Sequence, residues 1–291
     1  MELRVLRYFL AVAQYQNMTR AARELLVSQP TLSKQLADLE DELGTQLFIR
    51  AHRRITLTHE GEYLQTRAKE IVELADQTAA NIQADEVVTG RLSIGAGESI
   101  GMHRIMRVLS DIVQDYPDVK IHLVSGNADE MESSLKKGTI DFAVLMGKRS
   151  LKDYHHLNLP ERDRWGLVLR RDDPLTQKDA ITSNDLLGLP LLISAEGLEE
   201  HRFQDWWGNL GAQMNIVGTY TLVFNAQLMV KQGSAYVVTF DHLIDNSNHG
   251  DLTFRPLAPA LKESTNVIWK KNVVQSKVAQ IFIQRLKASL S

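Results

Sequence analysis

Residues 17–43 read NMTRAARELLVSQPTLSKQLADLEDEL, two helices joined by a tight turn. In the second, from Ser28 to about Leu43, Leu32, Leu36, Leu39 and Leu43 recur at four, three and four residues and form one apolar stripe. Ser28 stands where an N-cap belongs, and Pro30 in the first turn gives up only an amide that has no helical partner. Opposite and beside the stripe lie Pro30, Thr31, Ser33, Lys34, Ala37 and Asp38. The first turn therefore offers Gln29, Thr31, Ser33 and Lys34: short hydrogen-bonding side chains and one cation at a helix N-terminus. Duplex DNA takes that combination, because helix amides and a cation suit phosphate while Gln, Thr and Ser can read base edges. The preceding helix, Thr19 to Leu26, carries Ala21 and Ala22, small enough for close helix contact. The pair reads as a helix-turn-helix with Ser28 to Asp41 as its recognition helix.

A helical hairpin inside some other domain would share this amphipathic pattern. The residues that follow favour the first reading. Phe48 to Leu57, FIRAHRRITL, gives two short extended runs around a basic tip, as a wing would. Arg50, Arg53 and Arg54 could reach flanking phosphates or the minor groove from there.

The whole run AARELLVSQPTLSKQLADLEDELGTQLFIRAHRRITLTHEGE, residues 21–62, resembles the N-terminal domain of LysR-type transcriptional regulators. The order AA, SQP, LSxQxxxLExxLGxxLFxR and LTxxG carries the resemblance. It implies a multi-domain α and α/β protein: a winged helix-turn-helix, a long dimerising linker helix, and an effector domain like a periplasmic binding protein. By position, Gln29, Pro30, Thr31, Ser33, Lys34, Arg50, Arg53 and Arg54 fall where the family meets DNA, beside the capping Ser28. Lys34 stands where many members have Arg, which lowers the expectation of a bidentate contact to guanine.

Composition is consistent with such an organisation. A length of 291 suggests two domains, and 44% apolar content allows proper cores. There are no cysteines, so disulfides, thiolate metal sites and cysteine nucleophiles are excluded. The N-terminus, MELRVLRYFLAVAQ, has charges inside its apolar pattern and reads as no signal peptide. No run approaches the ~18 apolar residues of a membrane span. A cytoplasmic chain without membrane attachment is expected. The net charge of −3 looks wrong for a DNA binder until it is resolved locally. Residues 1–60 hold eight basic and seven acidic side chains, with Asp38, Glu40, Asp41 and Glu42 grouped late in the recognition helix and the basic ones at its tip and the wing. An uneven distribution suffices for DNA.

Leu3, Leu6, Leu10 and Ala13 are expected as the buried stripe of the first helix. From Thr58 to about Asp85 no proline appears. Leu64, Ala68, Ile71, Ala75, Thr78 and Ile82 recur as a heptad seam on a rod of about 40 Å. A partner chain is the expected cover for that seam, giving a homodimer or homotetramer. Near Val88-Thr89-Gly90 the pattern changes to strands alternating with helices: RLSIGA, VKIHLV, TIDFAVLM, WGLVLR, LPLLIS, TLVF, AYVVTF, DLTFRPL and NVIWK. This argues an α/β domain with largely parallel sheets. The domains are thus residues 1–58 for DNA binding, 59–88 for the linker, and 89–291 for the effector. Polar stretches at Leu159 to Arg162 and Lys262 to Thr265 read as crossovers between a first subdomain (91–160 and 265–291) and a second (161–264).

Two chemical motifs compete for notice. Gly97-Glu98-Ser99-Ile100-Gly101 matches G-x-S-x-G after a strand. A hydrolase also needs an oxyanion loop from an earlier strand of the same sheet, and everything upstream reads as helical. A Gly-rich turn at a helix N-terminus fits better, offering free amides and the Ser99 hydroxyl to a polar or anionic ligand. His155-His156 lacks metal-ligand spacing, and no metal or cofactor is expected. The reading is a sequence-specific DNA-binding regulator, not an enzyme, tuned by a small molecule; operator DNA and a second copy are its partners, with RNA polymerase a further candidate. A solute-binding protein and a serine hydrolase are the alternatives. The resemblance places the ligand between the subdomains, at the loop holding Gly97, Ser99 and Ile100, and by position at Asn127, Met146 and Ser194. No arginine is evident near Met146, so a small polar or weakly anionic metabolite with an apolar part is expected, held by backbone amides and Ser99.

Overall fold

The computed structural model describes residues 1–51, 54–82, 88–244 and 250–290, with the backbone alone for residues 50, 51, 54, 77 and 80–82. The chain divides into two compact units, Met1–Gln83 and Ala84–Ser291.

The first unit runs α1 (Leu3–Tyr15), α2 (Met18–Glu24), α3 (Gln29–Leu43), β1 (Phe48–Ala51), β2 (Arg54–Leu57) and α4 (His59–Ile82). Its core gathers Leu6, Phe9 and Val12 of α1, Ala21 and Ala22 of α2, and Leu32, Leu36 and Leu39 of α3. Three expected stripe positions fall outside it: Leu3 and Leu43 are exposed and Ala13 is half-buried, and the α1 stripe is turned onto Val5, Leu6, Phe9 and Val12. Phe9 meets Phe48 of the wing at 5.2 Å between ring centroids. Thr58 caps α4, its hydroxyl accepting the Gly61 amide at 3.0 Å and donating to the Gln46 carbonyl at 2.8 Å. A Cβ on Gly61 would lie 2.2 Å from the Leu47 carbonyl oxygen, so the LTxxG spacing sets a cap and a close approach of helix to strand.

The linker helix corrects the heptad seam. Leu64 and Ala68, with Val72, are buried in the core of their own unit, where they cover α1. Ile71, Leu74 and Thr78 are exposed instead, Ala75 is half-buried, and the side chain of Ile82 lies outside the described residues. Leu64 and Ala68 are lost from the predicted seam because the unit's own core takes them with Val72, while Ile71 and Thr78 of that seam stay open together with Leu74.

The second unit has β3 (Gly90–Ala96), α5 (Gly101–Asp115), β4 (Val119–Ser125), α6 (Ala128–Lys137), β5 (Phe142–Met146), β6 (Tyr154–Arg170), β7 (Leu191–Ser194), α7 (Ala195–Glu199), α8 (Gln204–Trp207), β8 (Ile216–Tyr220), α9 (Val223–Lys231), β9 (Tyr236–Phe240), β10 (Leu252–Pro256), β11 (Lys262–Lys270) and α10 (Lys277–Ala288). The nine strands follow the order β4-β3-β5-β11-β6-β9-β7-β8, with β10 on β6. β3, β4 and β5 are parallel, as are β7, β8 and β9. The expected polar crossovers are continuous strands: β6 and β11 pair antiparallel and run through both lobes. Leu159, Pro160 and Glu161 face the single residue Thr265 in a bulge, the position where proline's missing amide breaks no ladder bond. TLVF is not a strand. Ile216–Tyr220 is, and Val223 opens α9. The first lobe closes with α10, whose Phe282 packs on Phe142 with tilted rings, 4.8 Å between centroids. The second is built on Trp165, Leu167, Leu191, Ile193, Phe203 and Phe240.

Candidate functional site

At the start of α3, Ser28 is extended (φ −73, ψ 143) and its Oγ accepts the Thr31 amide at 3.2 Å. The Thr31 hydroxyl is 2.7 Å from the same oxygen, so these two side chains are partly committed to each other. Ser28, Gln29, Pro30, Thr31 and Lys34 are exposed and Ser33 is half-buried, while the leucines behind them are fully buried. The turn before them is a Schellman closure, with Leu26 N–H on the Arg23 carbonyl (3.1 Å) and Val27 N–H on the Ala22 carbonyl (3.0 Å). Leu26 takes the left-handed position, at φ 56 and 92% exposed, where glycine would be the unstrained choice. Ala51 pairs with Arg54 across the wing, which sets the backbones of Arg50 and Arg54 beside its tip; Arg53 lies outside the described residues. The acid cluster is partly structural: Glu40 accepts the Leu47 and Phe48 amides (2.7 and 3.2 Å) and ties the wing to α3, and Glu42 pairs with the N-terminal amine.

The second site is a cleft, open to solvent, between the two lobes of the second unit. It lies beyond the carboxyl ends of β3, β5 and β7, where Gly97, Met146 and Ser194 line it, with Asn127 at the start of α6. This is where open α/β sheets receive ligands. Trp165 and Phe240 form an aromatic wall, 4.2 Å between centroids.

Three of the expected features are rearranged. Ser99 is buried and does not line this cleft, and neither does Ile100. The amides expected to be free are filled: Asp163 Oδ1 accepts the Ile100 amide at 2.8 Å, and Ser99 Oγ accepts the Gly101 amide at 3.1 Å. Ser99 and Thr265 hydroxyls donate to Asp163 Oδ2 at 2.7 and 3.0 Å. A carboxylate on the crossover strand β6 thus occupies the anion position at the head of α5. Burial pushes the Asp163 carboxyl up, but His242, the Ile100 amide and the two hydroxyls outweigh it and hold the group below the usual carboxylate range. His242 Nε2 lies 3.2 Å from Asp163 Oδ1, at ion-pair distance without hydrogen-bond alignment, and Nδ1 lies 2.9 Å from Asp241. Burial lowers the imidazole, yet the two carboxylates win and raise it above its ordinary value. A serine nucleophile needs a base on its Oγ. Here that oxygen faces a carboxylate and a hydroxyl, and the imidazole faces Asp163.

Comparison with known proteins decides the family. Residues 3–62 match the bacterial regulatory helix-turn-helix protein model of the lysR family, and residues 85–291 match the LysR substrate binding domain. The chain belongs to the LysR family of transcriptional regulators. It is a DNA-binding regulator with a substrate-binding effector domain. It is 32% identical to the Hca operon transcriptional activator HcaR of Escherichia coli K12 over 93% of this chain and 92% of that one. It is 30% identical to the transcriptional regulator BudR of Raoultella terrigena over 93% and 95%. Full-length CbnR complexed with its target DNA has the same fold, with a TM-score of 0.76 at 23% identity over 99% of this chain and 100% of that one.

Several residues of the regulator's cleft carried no local signal. Glu98 reaches across from the first lobe and accepts the Val223 amide at the head of α9 (2.8 Å). Glu196 reaches back from the second and accepts the Ala128 amide at the head of α6 (3.1 Å). An arginine does lie near Met146, contrary to expectation. Arg202 donates to the Met146 carbonyl at 3.1 Å and to Glu196 at 2.6 Å. Gly147, at φ +82, makes room for it, since a Cβ there would lie 2.9 Å from the guanidinium carbon. Arg149 joins the lobes by pairing with Asp129 (2.8 Å) and Glu200. His155 lies against Trp269 with tilted rings, 5.6 Å between centroids, and among the described residues no group of three or more His, Asp or Glu could hold a metal.

Proposed function

We propose that this chain is a cytoplasmic, non-enzymatic regulator that acts as a homodimer or homotetramer, with α3 in the major groove of its operator. Gln29, Thr31, Ser33 and Lys34 meet the bases and adjacent phosphates, and Arg50, Arg53 and Arg54 meet the flanking backbone. The observation that carries this reading is the capped, exposed tip of α3 backed by fully buried Leu32, Leu36 and Leu39, a rigid mount for groove-reading side chains. The relatives at 30% identity or more are named as transcriptional regulators, one of them an operon activator, and a structural neighbour is complexed with DNA. The exposed face of α4 at Ile71, Leu74 and Thr78 pairs two copies. That pairing joins two half-site contacts into one high-affinity complex. The inter-lobe cleft binds a small-molecule effector against Gly97, Asn127, Met146 and Ser194, and ligand affinity that differs between cleft states shifts the regulator's conformation. Contact with RNA polymerase would follow from activation at a promoter.

The test starts with selection of bound fragments from the source genome. Lys34→Ala should weaken binding to the selected operator by about 1–3 kcal/mol and relax preference at one base pair if Lys34 reads a base. A loss that is uniform across sequences with a salt slope reduced by about one means phosphate contact alone. Unchanged affinity at every salt concentration removes Lys34 from the interface.

A further inference from the structure

We propose that the ligand of this cleft carries a positive charge, as a small organic amine or quaternary ammonium with an apolar portion. The inference rests on the reading of the cleft as the effector site and assigns the chemical class of its occupant. An anionic ligand would seek helix amides or cationic side chains. Two longer helices that start at the cleft carry the chain's own carboxylates, Glu196 on the Ala128 amide (3.1 Å) and Glu98 on the Val223 amide (2.8 Å). Neighbouring α5 likewise carries Asp163 on the Ile100 amide (2.8 Å), while the short α7 is capped by the Ser194 hydroxyl on the Gly197 amide (3.3 Å). The cleft wall itself presents Glu98, Asp129, Glu196 and Glu199, from both lobes, and among its described residues no Lys, Arg or His. Arg149 and Arg202 stand behind the wall and neutralise Asp129 and Glu196. Glu98 accepts a backbone amide and, among the described residues, pairs with no Lys or Arg. A carboxylate at the mouth of a partly closed cleft favours a cation.

The apolar wall agrees with that charge. Trp165 and Phe240 stand together at 4.2 Å, with Tyr220 beside them, and aromatic faces attract cations most strongly where water is displaced. Met146 and Leu243 complete a surface for a short hydrocarbon portion.

The test uses the full-length protein and calorimetric titration with benzylamine and tetramethylammonium as cations, and benzoate and succinate as anions. Three proteins are compared: wild type, Glu98→Gln, and Thr221→Trp, which adds bulk at an exposed residue of the cleft wall. Glu98→Gln keeps an oxygen to accept the Val223 amide and removes only the charge. The expected result is that the cations bind, that Thr221→Trp blocks them, and that Glu98→Gln weakens them about tenfold or more, as loss of a charge-assisted contact requires. Anions that bind in place of the cations and are blocked by Thr221→Trp would leave the cleft reading standing and overturn the charge assignment. Cation binding that Thr221→Trp blocks but Glu98→Gln leaves unaltered would overturn Glu98 as the group that recognises the charge. If no probe binds in a way that Thr221→Trp abolishes, the cleft reading fails and this inference fails with it.

Discussion

Asp163 is the residue whose removal should report most directly on how the effector unit is held together. It is fully buried and serves the Ile100 amide, the Ser99 and Thr265 hydroxyls and the facing His242. Asp163→Ala strips these groups unequally. The Ile100 amide is left without an acceptor, at about 1–3 kcal/mol for an orphaned buried donor. The hydroxyls of Ser99 and Thr265, 2.9 Å apart, can turn onto each other, and His242 keeps Asp241. Removing one partner from a buried charged network costs about 3–5 kcal/mol. For a unit the size of Ala84–Ser291 that is a drop in Tm of roughly 10 °C. Asp163→Asn keeps an oxygen for the amide and offers an NH2 group that both hydroxyls can accept from, so it should lose less than half as much. Chemical and thermal unfolding followed by near-UV circular dichroism would measure both, with the transition of the DNA-binding unit resolved separately. A loss under about 1 kcal/mol for Asp163→Ala, or equal losses for the two variants, would refute the account of this network.

Three further outcomes follow from the same geometry. Ile71→Asp should dissociate the oligomer in light scattering while the DNA-binding unit stays folded, whereas Ala68→Asp, which buries a carboxylate in that unit's own core, should unfold it; an intact oligomer in Ile71→Asp would exclude this face. Leu26→Gly should stabilise the first unit by about 0.5–1 kcal/mol in urea, because it relieves a left-handed leucine whose exposed side chain buries little, offset in part by glycine's entropy; a destabilised unit would show that the leucine is held by something else. His242 has a raised folded pKa, so its contribution is full below about 6.5 and is lost as pH rises through the folded value, while that of Asp163, with a lowered pKa, is present above about 3.8 and lost on acidification. His242→Gln should therefore flatten the decline in effector-unit stability on the alkaline side of 6.5, and an unchanged decline would mean the imidazole does not titrate against Asp163.

What the sequence determined alone was local. The Ser28 cap, Pro30 and the leucine spacing of α3 are settled by groups within about one helical turn of each other, so they can be read in one dimension. The switch to alternating strands and helices is local in the same sense, and it located the α/β unit. Where a pattern had two possible covers, the sequence could not choose. The stripe on α4 looks the same whether a partner chain or its own core buries it, and only the packing of α1 against Leu64, Ala68 and Val72 decided. TLVF has strand composition yet opens α9, because Glu98, far off in the chain, caps Val223. The Gly97–Gly101 turn looked like an open anion site for the same reason. Nothing near it in sequence says that Asp163, on a strand crossing between lobes, fills its amides and takes its serine. Buried polar groups such as Ser99, Asp163 and Thr265 must be satisfied, but which donor meets which acceptor is set by strand pairing across both lobes. That pairing exists only once the chain has folded, and it drew Ser99 and the Ile100 amide into an internal joint while leaving Gly97 and Glu98 on a cleft lined with acids.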